Sequence, residues 1–341
     1  MEVVAACSPG SGARDDAQLI DRLVTSYRQR AETPTGLWAE IVERHADVHA
    51  ALMADDQARV REILRNPATS DLMYGFESNA RSLHHSRRLE DIYEPALALD
   101  ALICLAEAIA ARPADNPESY MWRPVRSCIE QVLSQVEASF GFPLLLPNPF
   151  ARERGSVCSR GIVSYRVPHA IYQAWRISRL VTGIAHPRVL EIGGGLGRTA
   201  LYARQFGITD YTIIDIPISS LAQGNFLGRV VGEDAICLSG EEGASPAKIK
   251  LLAPSSFLDR PDRYHVVLNV DSITEIGAAA AQQYWSAIQA KADVFLSINH
   301  EANPVLVAQL IKDTKGIAQY SRWPYWMRRG YVEEECRFAG C

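Results

Sequence analysis

Val189-Leu190-Glu191-Ile192-Gly193-Gly194-Gly195-Leu196-Gly197-Arg198 is the stretch on which the fold turns. A short apolar run leads directly into glycines at alternate positions, Gly193, Gly195 and Gly197. Glycine tolerates positive φ and lets backbone approach a ligand closely. The helix expected from Leu196 would aim its first amide groups at the same point, which favours a carboxylate. A nicotinamide-dinucleotide turn needs a small third residue three places past its second glycine. Counted from Gly193, the first glycine after the apolar run, that residue is Arg198, bulky and charged. No Gly-Lys-Ser/Thr follows, so a P-loop is excluded. What remains is acid-x-Gly-x-Gly-x-Gly, running from Glu191 to Gly197.

Outward from this loop the pattern alternates. Tyr211-Thr212-Ile213-Ile214-Asp215 reads as the next strand and closes on an acid able to accept hydrogen bonds from both hydroxyls of a ribose. Arg188–Ile192, Tyr264–Val270 and Val294–Asn299 are further strands, with short candidates at Ala235–Leu238 and Ile249–Ala253 and a last strand near Tyr331–Phe338. Helical periodicity covers 167–181, 196–206, 219–230, 278–291 and 304–314. Strands alternating with helices imply crossover units, a parallel sheet and helices on both faces. Ligands of such sheets lie outside the carboxyl ends of the strands. That places Ile216 and Asn269 with the cofactor-binding set. It also points to Pro254, Ser255 and Ser256, after the third strand, for the base.

The first half has a different texture. Leu19, Leu23 and Tyr27, then Leu37, Ile41 and Val42, and later Val60, Ile63 and Leu64 recur at helical spacing. Gly141, Pro143, Pro147 and Pro149 break the pattern. The expected organisation is therefore a disordered lead-in over 1–14, a helical domain over 15–150, and a ligand-binding α/β domain over 151–341. The segment 151–165 is expected to be an irregular connector. The N-terminal helices are expected to cover the cleft or to form a homodimer interface, with His84 and His85 reaching in from that side.

Bulk composition narrows the function classes. The 341 residues are 48% hydrophobic and 22% charged with net charge -5, which lacks the basic footprint of a nucleic-acid binder. The seven cysteines are odd in number and contain no Cys-x-x-Cys pair, arguing against a disulfide framework and a structural zinc site. No apolar run approaches a membrane span, and none near the start has the length of an export signal. A small-molecule partner and a cytoplasmic location are the expectations.

The acidic glycine loop resembles motif I of the class I S-adenosylmethionine-dependent methyltransferases. In that family the loop packs against the methionine part of the cofactor and the acid, here Glu191, supports its amino group. A narrower resemblance, to sugar O-methyltransferases of bacterial gene clusters, spans Gly161 to Val332. It is carried by Arg166-Val-Pro-His169, Ala174-Trp175-Arg176-Ile177, Glu191-Ile-Gly-Gly-Gly195 and Tyr211-Thr-Ile-Ile-Asp215-Ile-Pro217. Asn269-Val-Asp271-Ser272-Ile-Thr-Glu275 and Leu296-Ser-Ile-Asn299-His300-Glu301 continue it. The resemblance implies a Rossmann-like methyltransferase sheet behind an all-helical region, with S-adenosyl-L-methionine as donor and S-adenosyl-L-homocysteine as product.

Methyl transfer to a hydroxyl needs alignment and removal of one proton. His300 is the first candidate base, with Asp271 and Glu275 next. Tyr165, Arg166, His169, Glu301 and Trp326 are candidate acceptor contacts, aromatic faces being suited to ring substrates. Asp271, Glu275, His300 and Glu301 are also hard ligands suited to magnesium, but their spacing is not diagnostic, so no metal is expected. N- or C-methylation of a non-sugar acceptor remains an alternative. A non-catalytic cofactor-binding scaffold is a second, and it would lack polar residues after the fourth and fifth strands.

Overall fold

A computed structural model describes residues 16–29, 43–54, 56–67, 70, 72–73, 87–114, 128–151, 153–241 and 245–339. The expectations for the lead-in, for Leu37–Val42 and for His84 and His85 lie outside these residues. The described chain begins with α1 (Ala17–Arg28), α2 (Ala46–Met53), α3 (Gln57–Arg65), α4 (Arg87–Ala108) and α5 (Ile129–Phe140). A hairpin follows, β1 (Ser156–Cys158) with β2 (Gly161–Val163), and then α6 (Arg166–Leu180). The alternating part comprises β3 (Arg188–Ile192), α7 (Arg198–Gln205), β4 (Asp210–Ile214), α8 (Pro217–Val231), β5 (Ile236–Leu238) and β6 (Ile249–Leu252). It continues through α9 (Pro254–Asp259), β7 (Tyr264–Val270), α10 (Ala278–Lys291), β8 (Ala292–His300) and α11 (Val307–Lys312) to β9 (Ile317–Pro324) and β10 (Tyr331–Phe338).

The sheet order is β5-β6-β4-β3-β7-β8-β10-β9. Every pair from β5 to β8 is parallel, and β10 enters antiparallel between β8 and β9. This is the Rossmann-like methyltransferase sheet that the glycine loop leads one to expect. The order reverses between β3 and β7, so a crevice opens at the carboxyl ends of those two strands. Alternate residues of β3 sort to opposite faces. Val189 joins the apolar cluster beneath α6, α7 and α8, whereas Leu190 and Ile192 join the one beneath α9, α10 and α11. Burial on both faces is why these strands read as continuous apolar runs.

The N-terminal helices share the first of those clusters with the sheet. A Cβ built on Gly224 or Gly228 of α8 would lie 2.4 Å from Leu23 or 2.6 Å from Leu19, so α1 rests directly on glycine backbone. Arg22 reinforces the contact with two bonds to Glu241, at 2.8 and 2.9 Å. Asp16 binds both Arg65 and Arg229, which hold its carboxyl down near pH 2 against the cost of its own burial.

Two segments correct the sequence expectations. The stretch 151–165 is not wholly irregular. Asn148 accepts from the Ile162 amide and donates to the Ile162 carbonyl and to Glu153, clamping the β1–β2 hairpin. β9 was not expected as a strand. It is an edge strand in which no residue is buried, so Ile-Ala-Gln-Tyr-Ser-Arg-Trp carries no period-2 apolar signal. No helix among the described residues is long and apolar enough to cross a membrane. Cys104, Cys128, Cys158, Cys237 and Cys336 are free thiols.

Candidate functional site

The loop after β3 uses its glycines for two different reasons. Gly193, Gly195 and Gly197 take φ of 74°, 53° and 83°, the left-handed region that other residues enter at a cost. A Cβ at Gly193 would stand 2.3 Å from the Ser272 hydroxyl, and one at Gly197 would stand 2.8 Å from Leu227. Those two glycines are required by packing. A Cβ at Gly195 meets nothing within 4 Å, and the residue borders open space. The loop is tied down by the Gly193 amide on the Ile214 carbonyl at 2.9 Å and the Gly194 amide on Asp215 Oδ2 at 3.1 Å.

Both predicted acids are buried beside it. Asp215 also accepts from the Ile216 amide at 2.9 Å and from Gln223 Nε2 at 2.7 Å. Loss of solvent pushes its carboxyl up to about 6, with these three donors opposing. Glu191 accepts from the Tyr211 hydroxyl at 2.9 Å, and burial pushes it up to about 8. Burial disfavours the charged form, so Glu191 is held mainly protonated near neutrality.

A cleft of about 400 Å³ opens over Gly195. Glu191, the glycine loop and Asp215 form one end, and Arg166, His169 and Gln173 of α6 form a wall. Asp271, Glu275, His300, Arg328 and Tyr331 close the other end. A narrower slot of about 150 Å³ shares Gly193, Asp215 and Ser272 with the cleft and is otherwise largely apolar, lined by Ile216, Pro254, Ile276 and Tyr284. A cleft lined by several charged residues, with an apolar slot that shares one of its acids, suits a nucleoside whose base enters the slot.

The far end is assembled from three strands. Asp271 follows β7 at φ 65°, a strained setting for a non-glycine residue that costs about 1–3 kcal/mol. Its Oδ2 accepts from the Tyr331 hydroxyl at 3.2 Å, and its Oδ1 is buried with no hydrogen bond. Tyr331 pairs in register with His300 across β10 and β8, their rings edge to face at 5.4 Å. Burial, with the Asp271 charge next, pushes Glu275 up to about 7. His300 Nδ1 accepts the Ala302 amide at 3.2 Å, which puts the hydrogen of the neutral ring on Nε2. Burial, then the charges of Arg166 and Arg328, holds His169 down to about 3, so its ring is neutral.

Of the residues expected from sequence, Glu191, Gly193, Gly195, Asp215, Asp271, Glu275, His300, Arg166 and His169 all line the main cleft. Ile216 lines the slot. Gly197 caps α7 behind the loop. Others fall elsewhere. Pro254 lines the slot, but Ser255 and Ser256 of α9 line neither cavity. A helix turn after Pro254 carries them off. Asn269 is fully buried and donates to the Ile192 carbonyl and the Ser272 hydroxyl, so it supports the loop from below. Tyr165 stands behind the wall, edge to face on His169. Glu301 is exposed and doubly bonded to Arg322, and Trp326 is exposed; neither lines the cleft.

Gln173, Thr199, Ser272, Arg328 and Tyr331 were missed, as were Ile276 and Tyr284 of the slot. Gln173 had a signal, since Arg166, His169 and Gln173 recur along one helix face. Tyr331 had none, because only the antiparallel register sets it beside His300. No described residue before Arg166 lines the cleft. Among the described residues no three His, Cys, Asp or Glu side chains converge as a metal-ligand group.

No family model matches the chain, and no curated protein matches it. Solved structures with similar chain traces do exist. The glycopeptide N-methyltransferase MtfA complexed with S-adenosyl-L-methionine is 15% identical with a TM-score of 0.37, covering 50% of this chain and 94% of its own. The magnesium protoporphyrin IX methyltransferase ChlM of Synechocystis PCC 6803, with bound S-adenosylmethionine, is 15% identical with a TM-score of 0.36, covering 50% and 81%. It is the strand order above, with β10 reversed beside β8, that defines the fold.

Proposed function

We propose that the chain is an S-adenosylmethionine-dependent methyltransferase acting on a hydroxyl of a small specialised metabolite or sugar. The observation that carries this is the loop itself: three left-handed glycines, of which Gly195 alone would meet no neighbour with an added Cβ, set between buried Glu191 and Asp215 where the strand order reverses. The residues fit the donor. The slot of Ile216, Pro254, Ile276 and Tyr284 would take adenine, Asp215 the ribose, and Gly195 with Glu191 the methionine part. Bound there, S-adenosylmethionine supplies a methyl group already activated on a sulfonium sulfur. The protein therefore has to align the acceptor and take its proton.

Glu275 is the better base. Its side chain makes no hydrogen bond to any described residue, it lines the cleft, and a carboxyl raised to about 7 is half ionised where it must work. His300, the first candidate from sequence, already accepts at Nδ1 and so faces the cleft as an Nε2–H donor. It orients the acceptor, with the Asp271–Tyr331 pair beside it. Incubation with methyl-labelled cofactor and hydroxylated acceptors, with the product methyl located by NMR, tests the reading. A methyl on nitrogen or carbon overturns the O-transfer assignment. Failure of S-adenosylhomocysteine to bind in calorimetry overturns the enzyme assignment as a whole.

A further inference from the structure

We propose that the methyl acceptor is anionic, carrying a phosphate ester or a carboxylate, and that Arg328 and Arg166 grip that group at the Tyr331 end of the cleft. The inference rests on the reading of this cleft as the acceptor site. Arg166 opens α6 and Arg328 lies between β9 and β10, yet both line the same cavity. Neither forms a salt bridge with any described carboxylate. Other half-buried cations here are matched: Arg176 by Glu333 and Glu335, Arg22 by Glu241, and Arg229 by Asp16. Arg328 instead lies over the Tyr331 ring, 4.2 Å from its centre. Stacking there steadies the guanidinium plane and leaves its fork of donors for an oxyanion.

A second observation agrees. His169 is 6% exposed and lines the cleft between these two charges, and its Nε2 has no hydrogen-bond partner. Its ring is neutral, and Nδ1 lies 3.4 Å from the Tyr325 hydroxyl. With that hydroxyl donating to Nδ1, Nε2 carries the hydrogen and becomes a third donor. The first turn of α6 adds amide dipoles of the same sign, with neither an acid nor a side-chain cap to consume them. In the reading above the methyl donor's one carboxylate lies with its methionine part at Gly195, so both guanidinium forks are left for the acceptor.

The test uses three pyranoses that differ in charge: α-D-glucose 1-phosphate, D-glucuronate and methyl α-D-glucoside. Each is titrated calorimetrically into the full chain saturated with S-adenosylhomocysteine. At least one anionic sugar should bind about ten- to hundredfold tighter than the neutral one, and which one does so separates phosphate from carboxylate. Arg328→Gln should erase that preference and leave S-adenosylhomocysteine affinity within about twofold, whereas Arg328→Lys should keep part of it. Equal affinity for all three sugars, including none, overturns the proposal. So does an Arg328→Gln variant that weakens S-adenosylhomocysteine as much as the anion, since the arginine would then serve the donor's carboxylate. If S-adenosylhomocysteine does not bind at all, the methyl-donor reading falls, and the same titrations on the unloaded protein decide the anion site by the same criteria.

Discussion

Alanine at Gly195 and alanine at Gly193 should fail in opposite ways. Both positions are left-handed, at φ 53° and 74°, and moving alanine there costs about 1–2 kcal/mol. At Gly195 nothing further is added to the folding cost, because the new methyl meets no atom within 4 Å. At Gly193 the methyl would fall 2.3 Å from Ser272 Oγ and 2.5 Å from Ser272 Cβ. That serine donates to the Ile192 carbonyl at 2.7 Å and accepts from Asn269 at 2.6 Å, so it cannot step aside without leaving buried groups unpaired. Overpacking and a lost buried hydrogen bond bring the Gly193→Ala penalty to roughly 3–5 kcal/mol. Urea denaturation should therefore find Gly195→Ala destabilised by only about 1–2 kcal/mol. Calorimetry should find its S-adenosylhomocysteine affinity down at least about tenfold, equivalent to ~1.4 kcal/mol. A Gly195→Ala protein that binds the nucleoside as tightly as the parent would refute the loop assignment. A Gly193→Ala protein of parental stability would refute the packing account.

Three further outcomes are expected. Glu275→Gln should lower kcat about 10²- to 10⁴-fold without weakening S-adenosylhomocysteine. The parent rate should rise with pH and level off above about 7, as the raised carboxyl ionises; a flat profile through that range counts against Glu275 as base. Glu191 is raised to about 8 in the fold, so its contribution to stability is complete below its ordinary value of 4.5 and is lost as pH rises through 8. Glu191→Gln should remove that loss, up to about 1.4 kcal/mol per pH unit, in urea titrations compared at pH 6 and 8. Arg176→Ala leaves Glu333, fully buried, without its cation and should cost about 3–5 kcal/mol of stability. An Arg176→Ala loss under 1 kcal/mol would show that this ion pair does not hold α6 to β10.

Much of the cofactor end could be read from the chain because its determinants are local. Glu191, the three glycines and Asp215 lie on two adjacent strand ends, and each requirement names a residue type. A left-handed turn demands glycine and a ribose demands an acid. The apolar slot was harder. Its contacts are ordinary apolar residues, Ile276 and Tyr284 among them, which look like any buried helix face. Position after the third strand points to Pro254, Ser255 and Ser256 alike, but only Pro254 reaches the slot, because the helix turn carries the two serines off. Asn269 carried a polar signal that packing spends on supporting Ser272.

By itself the sequence determined the alternation of strand and helix, the glycine loop and its two acids, since apolar period and positive φ are properties of short segments. Only the tertiary structure decided the acceptor end. Arg166, Asp271, His300, and Arg328 with Tyr331 come from four separate places in the chain and meet because β10 inserts antiparallel beside β8. Their chemistry is set there too. Burial next to Asp271 raises the Glu275 carboxyl to about 7, and burial among arginines keeps His169 neutral. Desolvation and charge proximity are properties of a packed site and have no local trace in the residue order.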